Sequence, residues 1–295
     1  MSSDRLWLLI GGTAWLLFFA AALNYPASQY PGLLPQVSSI LIGITMLLAT
    51  LLASERPYWP AWMRWVLFCC GIIFVGLPYV LSASEPGVKA FVALGLLMVA
   101  LPVGYWIGDR MEKVTNLVPL AIGMSLADIF SVSHGFSRKV AEDVTRHQEE
   151  VAQVIADQAP QQGMAAAISQ AAQLKAPLSD FIIVHLPIAG TGMSQPVLGI
   201  GDFVILAFIF RSAWVHAIPA RAVFWPALIS VVAALTLSQM LGIPLPALPF
   251  IALGCIGWLW LAHPRIRKLD RQEVVLSLAV AAVFLALIAY RFVAG

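Results

Sequence analysis

The chain has 295 residues, of which 60% are hydrophobic and only 11% are charged, and its formal net charge is +2. A soluble domain carries about 25% charged residues, so this composition excludes a protein that folds in water and predicts one that folds in lipid. The small net charge gives no sign of a nucleic-acid partner, and none is expected.

The expected fold class is an all-α polytopic membrane protein. Lipid cannot bond to backbone polar groups, and the chain shows no strand-length alternation, so helices are predicted rather than a barrel. A helix needs about 20 apolar residues to cross a bilayer. About nine segments approach this length, at residues 6–23, 33–53, 62–82, 88–107, 114–133, 198–215, 222–241, 246–262 and 273–292. The first run is longer than the apolar core of a signal peptide, which favours a retained span.

These spans divide the chain into three predicted sections. Residues 1–113 hold about four N-terminal spans, and residues 263–295 hold the last span. Residues 114–262 form the central section, in which a long polar loop over 134–197 follows the first span and three more spans come after it. Within the loop, the pattern predicts a helix from about Arg138 to Pro160, a short helix over 165–174 and an extended edge strand over Phe181–Val184.

The distribution of basic residues predicts the orientation of the chain. With the N-terminus inside, eleven Lys and Arg residues fall on the inner side and six on the outer side. Four of those six lie in the long loop, where charge has little influence on topology. The long loop is therefore expected on the outer face, in a multi-pass protein of a prokaryotic cell membrane.

Two carboxyl groups stand apart from the other acidic residues. Thirteen of the fifteen acidic residues fall in loops or at span ends, whereas Asp128 and Asp202 lie within spans. A charge in the bilayer interior costs a few kcal/mol, so acids at such positions are candidates for function. The other interpretation is that each is an isolated polar residue that hydrogen-bonds within a helix bundle.

The positions of Asp128 and Asp202 predict that they meet. They flank the long loop on two antiparallel spans, and both are expected roughly 6–9 Å below the same membrane face. Two carboxyl groups in a medium of low dielectric constant cannot both ionise, so they should share one proton. Such a pair can hydrolyse a peptide bond, one acid activating water and the other polarising the carbonyl, and neither role is assigned to a particular residue.

Glycine and proline accompany these acids at two places. Glycines just before Asp202 allow close approach of another backbone, or form a packing patch of small residues. Prolines at the start of the eighth span are expected to prevent a regular helix there and to hold the chain extended, so that it could pair with an unwound substrate. The other interpretation is an ordinary loop that contains prolines. The candidate substrate-binding residues are Gly199, Ile200, Gly201, Pro246, Ala247, Leu248 and Pro249.

As a set, these segments resemble the motifs of the presenilin and signal-peptide-peptidase family. Gly199–Phe203 looks like its Gly-x-Gly-Asp motif, Pro246–Pro249 looks like its Pro-Ala-Leu motif, and Ala127–Phe130 looks like its Tyr-Asp motif. The resemblance covers roughly residues 114–262. It implies a presenilin-like bundle and an intramembrane aspartyl endopeptidase that acts on transmembrane proteins or remnant signal peptides. No cofactor, metal or obligatory partner subunit is expected.

The sequence also departs from the family and leaves other functions open. Ala127 stands where the family has tyrosine, four spans rather than five precede the span of Asp128, and one span follows the Pro-Ala-Leu span. The alternative function is a proton-coupled transporter or channel with Asp128 and Asp202 as relay acids. A prepilin peptidase also uses a Gly-x-Gly-Asp acid but lacks the Pro-Ala-Leu segment.

Overall fold

The computed structural model of the chain describes residues 6–24, 33–55, 59–80, 86–134, 182–189, 193–241, 245–264 and 266–294, with scattered positions between 139 and 163. Within these residues lie nine long helices and one hairpin, and a short 3-10 helix over Val114–Asn116 precedes α5. The elements are α1 (Leu6–Leu23), α2 (Leu33–Ser54), α3 (Ala61–Val80), α4 (Pro86–Gly108), α5 (Leu117–His134), β1 (Ile183–Ile188), β2 (Met193–Gly199), α6 (Ile200–Val215), α7 (Arg221–Leu241), α8 (Ala247–Ala262) and α9 (Arg271–Ala294).

Each of the nine predicted spans overlaps one of these helices. Among the described residues, five stretches are long and apolar enough to cross a membrane: Gln36–Ser54, Ala61–Pro78, Val88–Gly108, Val114–Ser131 and Arg221–Leu241. They support a mostly helical membrane protein. That α1, α6, α8 and α9 also cross the membrane, and that the total is nine, remain predictions.

The β-hairpin corrects the prediction of a wholly α-helical fold. Strands β1 and β2 pair antiparallel, with Ile183 opposite Gly199, and a bulge interrupts the register between Val184 and His185. Within the long loop the sequence predicts an extended strand over Phe181–Val184; Phe181 lies outside the described residues, and β1 continues through Pro187 to Ile188. Pro196 is tolerated in β2 because it lies opposite His185, beside the bulge, where the ladder is already irregular.

The other predicted elements of the long loop are only partly described. The described positions from Lys139 to Pro160 are helical, in agreement with a helix over that range. Its predicted start at Arg138 and the short helix over 165–174 lie outside the described residues. Because β2 extends to Gly199, the next helix begins at Ile200 rather than at 198.

Helix α4 lies at the centre of the bundle. In its apolar stretch 67% of the residues are buried, compared with 6% in α3, which therefore faces outward along most of its length. The hairpin packs against α2 and α4, and Ser39 of α2 accepts a hydrogen bond from Ala189 N–H and donates one to the Pro187 carbonyl. Trp15 of α1 donates its indole N–H to the Ala90 carbonyl of α4 at 3.1 Å.

The contact between α4 and α6 is close because two glycines of α4 face α6. A Cβ atom placed on Gly104 would lie 2.7 Å from Ala207 Cβ, and one placed on Gly108 would lie 2.7 Å from Arg211 Cγ. These distances leave no room for a side chain. The spacing of four residues between the glycines is the small-residue pattern by which membrane helices approach each other.

Substitution of Gly104 by valine should therefore destabilise the protein. The added side chain would push α6 away from α4 and cost about 1–3 kcal/mol, the range found for overpacked cores. Thermal unfolding of Gly104→Val in detergent measures this. Gly76→Val in α3 is the matched control, because a Cβ atom there meets nothing within 4 Å. Equal midpoints for the two variants would contradict the proposed packing role.

Candidate active site

The junction between β2 and α6 positions Asp202. Gly199 ends the strand and forms the N-cap of α6, so Asp202 is the third residue of the helix. Its Oδ2 atom accepts a hydrogen bond of 2.9 Å from the Gly199 N–H, and Ile200 N–H bonds to the carbonyl of Ile182. Asp202 therefore lies about 4 Å along the helix from its start, less than the 6–9 Å expected from a span beginning at 198.

Asp128 lies on α5 and contacts the start of α8. Its Oδ2 atom accepts a hydrogen bond of 3.1 Å from the Leu248 N–H. Leu248 is the second residue of α8, and an N–H at that position has no acceptor within its own helix. The carboxyl group of Asp128 thus caps a helix that is 120 residues away in sequence.

The Pro-Ala-Leu-Pro segment is the first turn of α8, which corrects the prediction that its prolines prevent a regular helix start. Pro246 is the extended N-cap, Ala247 and Leu248 follow, and Pro249 is the third helical residue. The first four N–H groups of a helix are unbonded in any case, so proline fits at these positions. The two prolines leave few donors in this turn, and one of them, on Leu248, points at Asp128. Pro244 lies outside the described residues.

The two carboxyl groups lie at the same end of the bundle, and whether they share a proton remains a prediction. Asp128 and Asp202 are near enough for their charges to influence each other, and both residues are half-buried. Their hydrogen bonds among the described residues go to backbone N–H groups rather than to each other. Each carboxyl group faces a helix N-terminus, where the helix dipole and the unbonded N–H groups favour negative charge.

The glycines of the Gly-x-Gly-Asp motif are not required by packing within the chain. Gly199 has extended backbone that any residue adopts, with φ of −77° and ψ of 163°. A Cβ atom on Gly199 would make an ordinary contact of 3.7 Å with Asp202, and one on Gly201 would meet nothing within 4 Å. Among the described residues no backbone makes the expected close approach, and the space beside Gly201 is open. Ile200 is half-buried against the core.

A second polar cluster lies at the opposite end of α6, and the sequence analysis missed it. Arg211 donates to Asp109 Oδ1 at 2.6 Å and to the Glu55 carbonyl at 2.8 Å, and it stacks on the Tyr105 ring at 3.9 Å. Arg64 forms an ion pair with Asp109 at 3.4 Å. Arg211 is nine residues from Asp202, about 13 Å along the helix, so it is remote from the acid pair.

This cluster could have been found by asking which charged residues lie at span ends on the same membrane face. Glu55, Arg64, Asp109 and Arg211 all lie near span ends that the predicted orientation places on the inner face. Considered singly, each looks like an ordinary charge at a membrane surface. In the structure they hold the ends of α2, α4 and α6 and the start of α3 together.

Glu55 is the most unusual member of the cluster. It is fully buried, and neither carboxyl oxygen has a hydrogen-bond partner among the described residues. Burial raises the pKa of Glu55 well above its ordinary value of 4.5, and the charge of Arg211 offsets part of that shift. Relative to a glutamate in water, folding therefore shifts this side chain toward its neutral form.

No metal centre is formed by the described part of the chain, where no three His, Cys, Asp or Glu side chains come together as ligands. Comparison of the chain with protein-family models, curated proteins and solved structures gives no match. The resemblance of the motifs therefore remains a prediction, and the geometry of the two carboxyl groups is the basis for a functional proposal.

Removing the charge of Glu55 should change how stability depends on pH. Because the pKa is raised on folding, the stabilisation from Glu55 is complete at low pH and is lost as pH rises from about 4.5 through the folded-state pKa. Glu55→Gln should not show this loss, so its thermal midpoint should rise relative to the wild type as pH increases. Midpoints measured between acidic and alkaline pH test this.

The exposed Glu112, near the same end of the bundle, provides the control for the Glu55 experiment. The midpoint of Glu112→Gln should follow that of the wild type across the pH range. Parallel curves for Glu55→Gln and the wild type would show that the buried carboxyl group makes no pH-dependent contribution.

Proposed function

We propose that the chain is an intramembrane aspartyl endopeptidase that hydrolyses peptide bonds in transmembrane segments of membrane proteins or in remnant signal peptides. The observation that carries this proposal is the placement of Asp128 and Asp202 at one end of the bundle. They lie on separate helices, are near enough for their charges to influence each other, and are each held by a backbone N–H at a helix start.

The proposed chemistry needs one water molecule and one proton shared by the pair. The ionised carboxyl group takes a proton from water as the water oxygen attacks the scissile carbonyl carbon, and the protonated carboxyl group donates a hydrogen bond to the carbonyl oxygen. When the tetrahedral intermediate collapses, the C–N bond breaks and a carboxyl proton passes to the leaving amine. The pair acts as a unit, so neither role is assigned to one residue.

The hydrogen bonds at the two helix starts support this chemistry by fixing the carboxyl groups in place. Gly199 and Leu248 donate through backbone N–H groups, whose positions are set by the helices rather than by mobile side chains. Both bonds use the Oδ2 atom of the acid. Preorganised donors of this kind reduce the rearrangement that a reaction requires.

A place for the substrate is suggested by the open space beside Gly201 and by strand β2. A helical substrate must unwind before its peptide bond can be attacked, and an unwound segment can add to the edge of a sheet. Strand β2 leads directly to Asp202 and, within the described residues, pairs with β1 alone. Within the Pro-Ala-Leu-Pro segment Pro246 alone has extended backbone, and the other three residues are helical, so the segment itself offers little backbone for such pairing.

The structure of α6 favours hydrolysis over the alternative of a proton-coupled transporter. Between Asp202 and Arg211 this helix carries only apolar residues, and most of them are buried. A relay of protons along α6 would need polar side chains or room for water at these positions. A transporter with Asp128 and Asp202 as relay acids remains the second candidate, and reconstituted protein separates the two.

Asparagine at either acid should abolish peptide cleavage without unfolding the protein. The carbonyl oxygen of asparagine can still accept the hydrogen bond from Leu248 or Gly199, so the helix caps persist, but proton transfer is lost. We expect Asp128→Asn and Asp202→Asn each to reduce cleavage of a labelled transmembrane peptide in liposomes by about a thousandfold. Thermal midpoints verify folding.

Asp157, exposed on a helical part of the long loop, provides the control. Asp157→Asn should cleave the peptide at the wild-type rate. Wild-type activity in either Asp128→Asn or Asp202→Asn would exclude the shared-proton mechanism. Proton or solute flux through wild-type liposomes, with no cleavage of any membrane peptide, would favour the transporter.

Substitution of Gly201 by alanine should weaken substrate binding and leave folding intact. Gly201 lies in the first turn of α6, and no described residue comes within 4 Å of an added Cβ atom, so alanine should leave stability unchanged or raise it by about 0.5–1 kcal/mol. If the substrate backbone occupies this space, the added methyl group should displace it and lower kcat/KM by about tenfold or more. Gly257→Ala in α8 is the matched control, since its surroundings are equally open. Unchanged kcat/KM in Gly201→Ala would place the substrate elsewhere.

A further inference from the structure

A groove runs along the outer surface between α7 and α8, away from the two aspartates. Its volume is about 610 Å³. The floor is narrow because the helices meet at small residues, and a Cβ atom on Gly254 would collide with Ser230 Oγ. Trp225 and Trp258 form the two walls and are 57% and 52% exposed. The result is an apolar cleft that opens toward the surrounding lipid.

The length of the groove matches one leaflet of a bilayer. It extends from Arg221 and His263, at adjacent ends of the two helices, to Ile229 on α7 and Gly254 on α8. Eight or nine residues of helix separate these points, a distance of about 12–14 Å. The hydrocarbon core is about 30 Å thick, so the groove spans close to half of it. A transmembrane peptide would need contacts across the whole core, whereas one acyl chain fits.

The charge at the mouth of the groove favours an anionic ligand. Arg221 is exposed there, His263 lies on the other wall, and no acidic side chain lines the cleft in the described part of the chain. The two tryptophans lie within about a turn or two of these residues, a typical arrangement at a membrane interface. The mouth is at the same end of the bundle as Arg211, on the face predicted to be inside.

We propose that this groove binds one anionic phospholipid. Its phosphate lies between Arg221 and His263, and one acyl chain lies along Trp225, Ile229 and Trp258. Moving an acyl chain from the bulk bilayer into the groove gains no hydrophobic free energy, because both surroundings are apolar. Selectivity among lipids therefore comes from the headgroup, and Arg221 makes the main contribution. This proposal is independent of any protease activity.

The test compares an anionic and a zwitterionic lipid on the full-length protein. Delipidated protein in detergent is mixed with equal amounts of phosphatidylglycerol and phosphatidylcholine, and retained lipid is counted by native mass spectrometry. We expect the wild type to retain one phosphatidylglycerol molecule with about fivefold preference, the effect of one basic residue near an anionic headgroup. Arg221→Gln should lose the preference, and Arg221→Lys should retain it.

Two further variants distinguish the groove from general surface charge. Lys268→Gln removes an exposed positive charge that does not line the groove, so it should keep the preference. Trp258→Ala should lower retention of both lipids. Unchanged preference in Arg221→Gln, or equal loss in Lys268→Gln, would overturn the proposal. Displacement of the lipid by a transmembrane peptide would also overturn it. A lipid-free dimer that Trp258→Ala dissociates would do the same, because the groove would then hold a protein helix.

Discussion

The candidate site depends on two hydrogen bonds, each from a backbone N–H at a helix start to a carboxyl group. The Leu248 N–H bonds to Asp128, and the Gly199 N–H bonds to Asp202. An unbonded N–H group buried in lipid costs several kcal/mol, so each helix start needs an acceptor. Each acid likewise needs donors, because a carboxyl group without them is costly at the same depth. The same two hydrogen bonds therefore satisfy the helix starts and hold the acids in place.

Helix α6 links this site to the rest of the bundle. Asp202 lies in its first turn, and Arg211 binds Asp109 and the carbonyl of Glu55 near its far end. Between them, Ala207 packs directly against Gly104 of α4. A helix that is bonded at both ends and packed closely in the middle has little freedom to slide or rotate. The position of Asp202 in the bundle therefore depends also on contacts more than one helical turn away from its carboxyl group.

The sequence predicts the helices and the acid pair because both depend on local or simple rules. Apolar length marks the helices, and the rarity of a carboxyl group within a span identifies Asp128 and Asp202. The second strand of the hairpin escaped prediction because residues 193–197 end a polar loop and show no strand-length alternation, so only the fold reveals that they pair with β1. The first turn of α8 escaped because proline disfavours a helix interior but not a helix start. The contacts of Arg211 join residues more than 100 positions apart, which no local pattern reports.

The length of α6 has a consequence for the membrane around it. With 16 residues the helix is about 24 Å long, whereas the hydrocarbon core of a bilayer is about 30 Å thick. The sequence predicts that α6 crosses the membrane, and a span this short draws the lipid surfaces toward each other or draws polar flanking groups below them. For α6 the flanking group at the Asp202 end is the β-hairpin. Solvent would then reach the depth of the acids through a local dimple in the leaflet, without a channel through the protein.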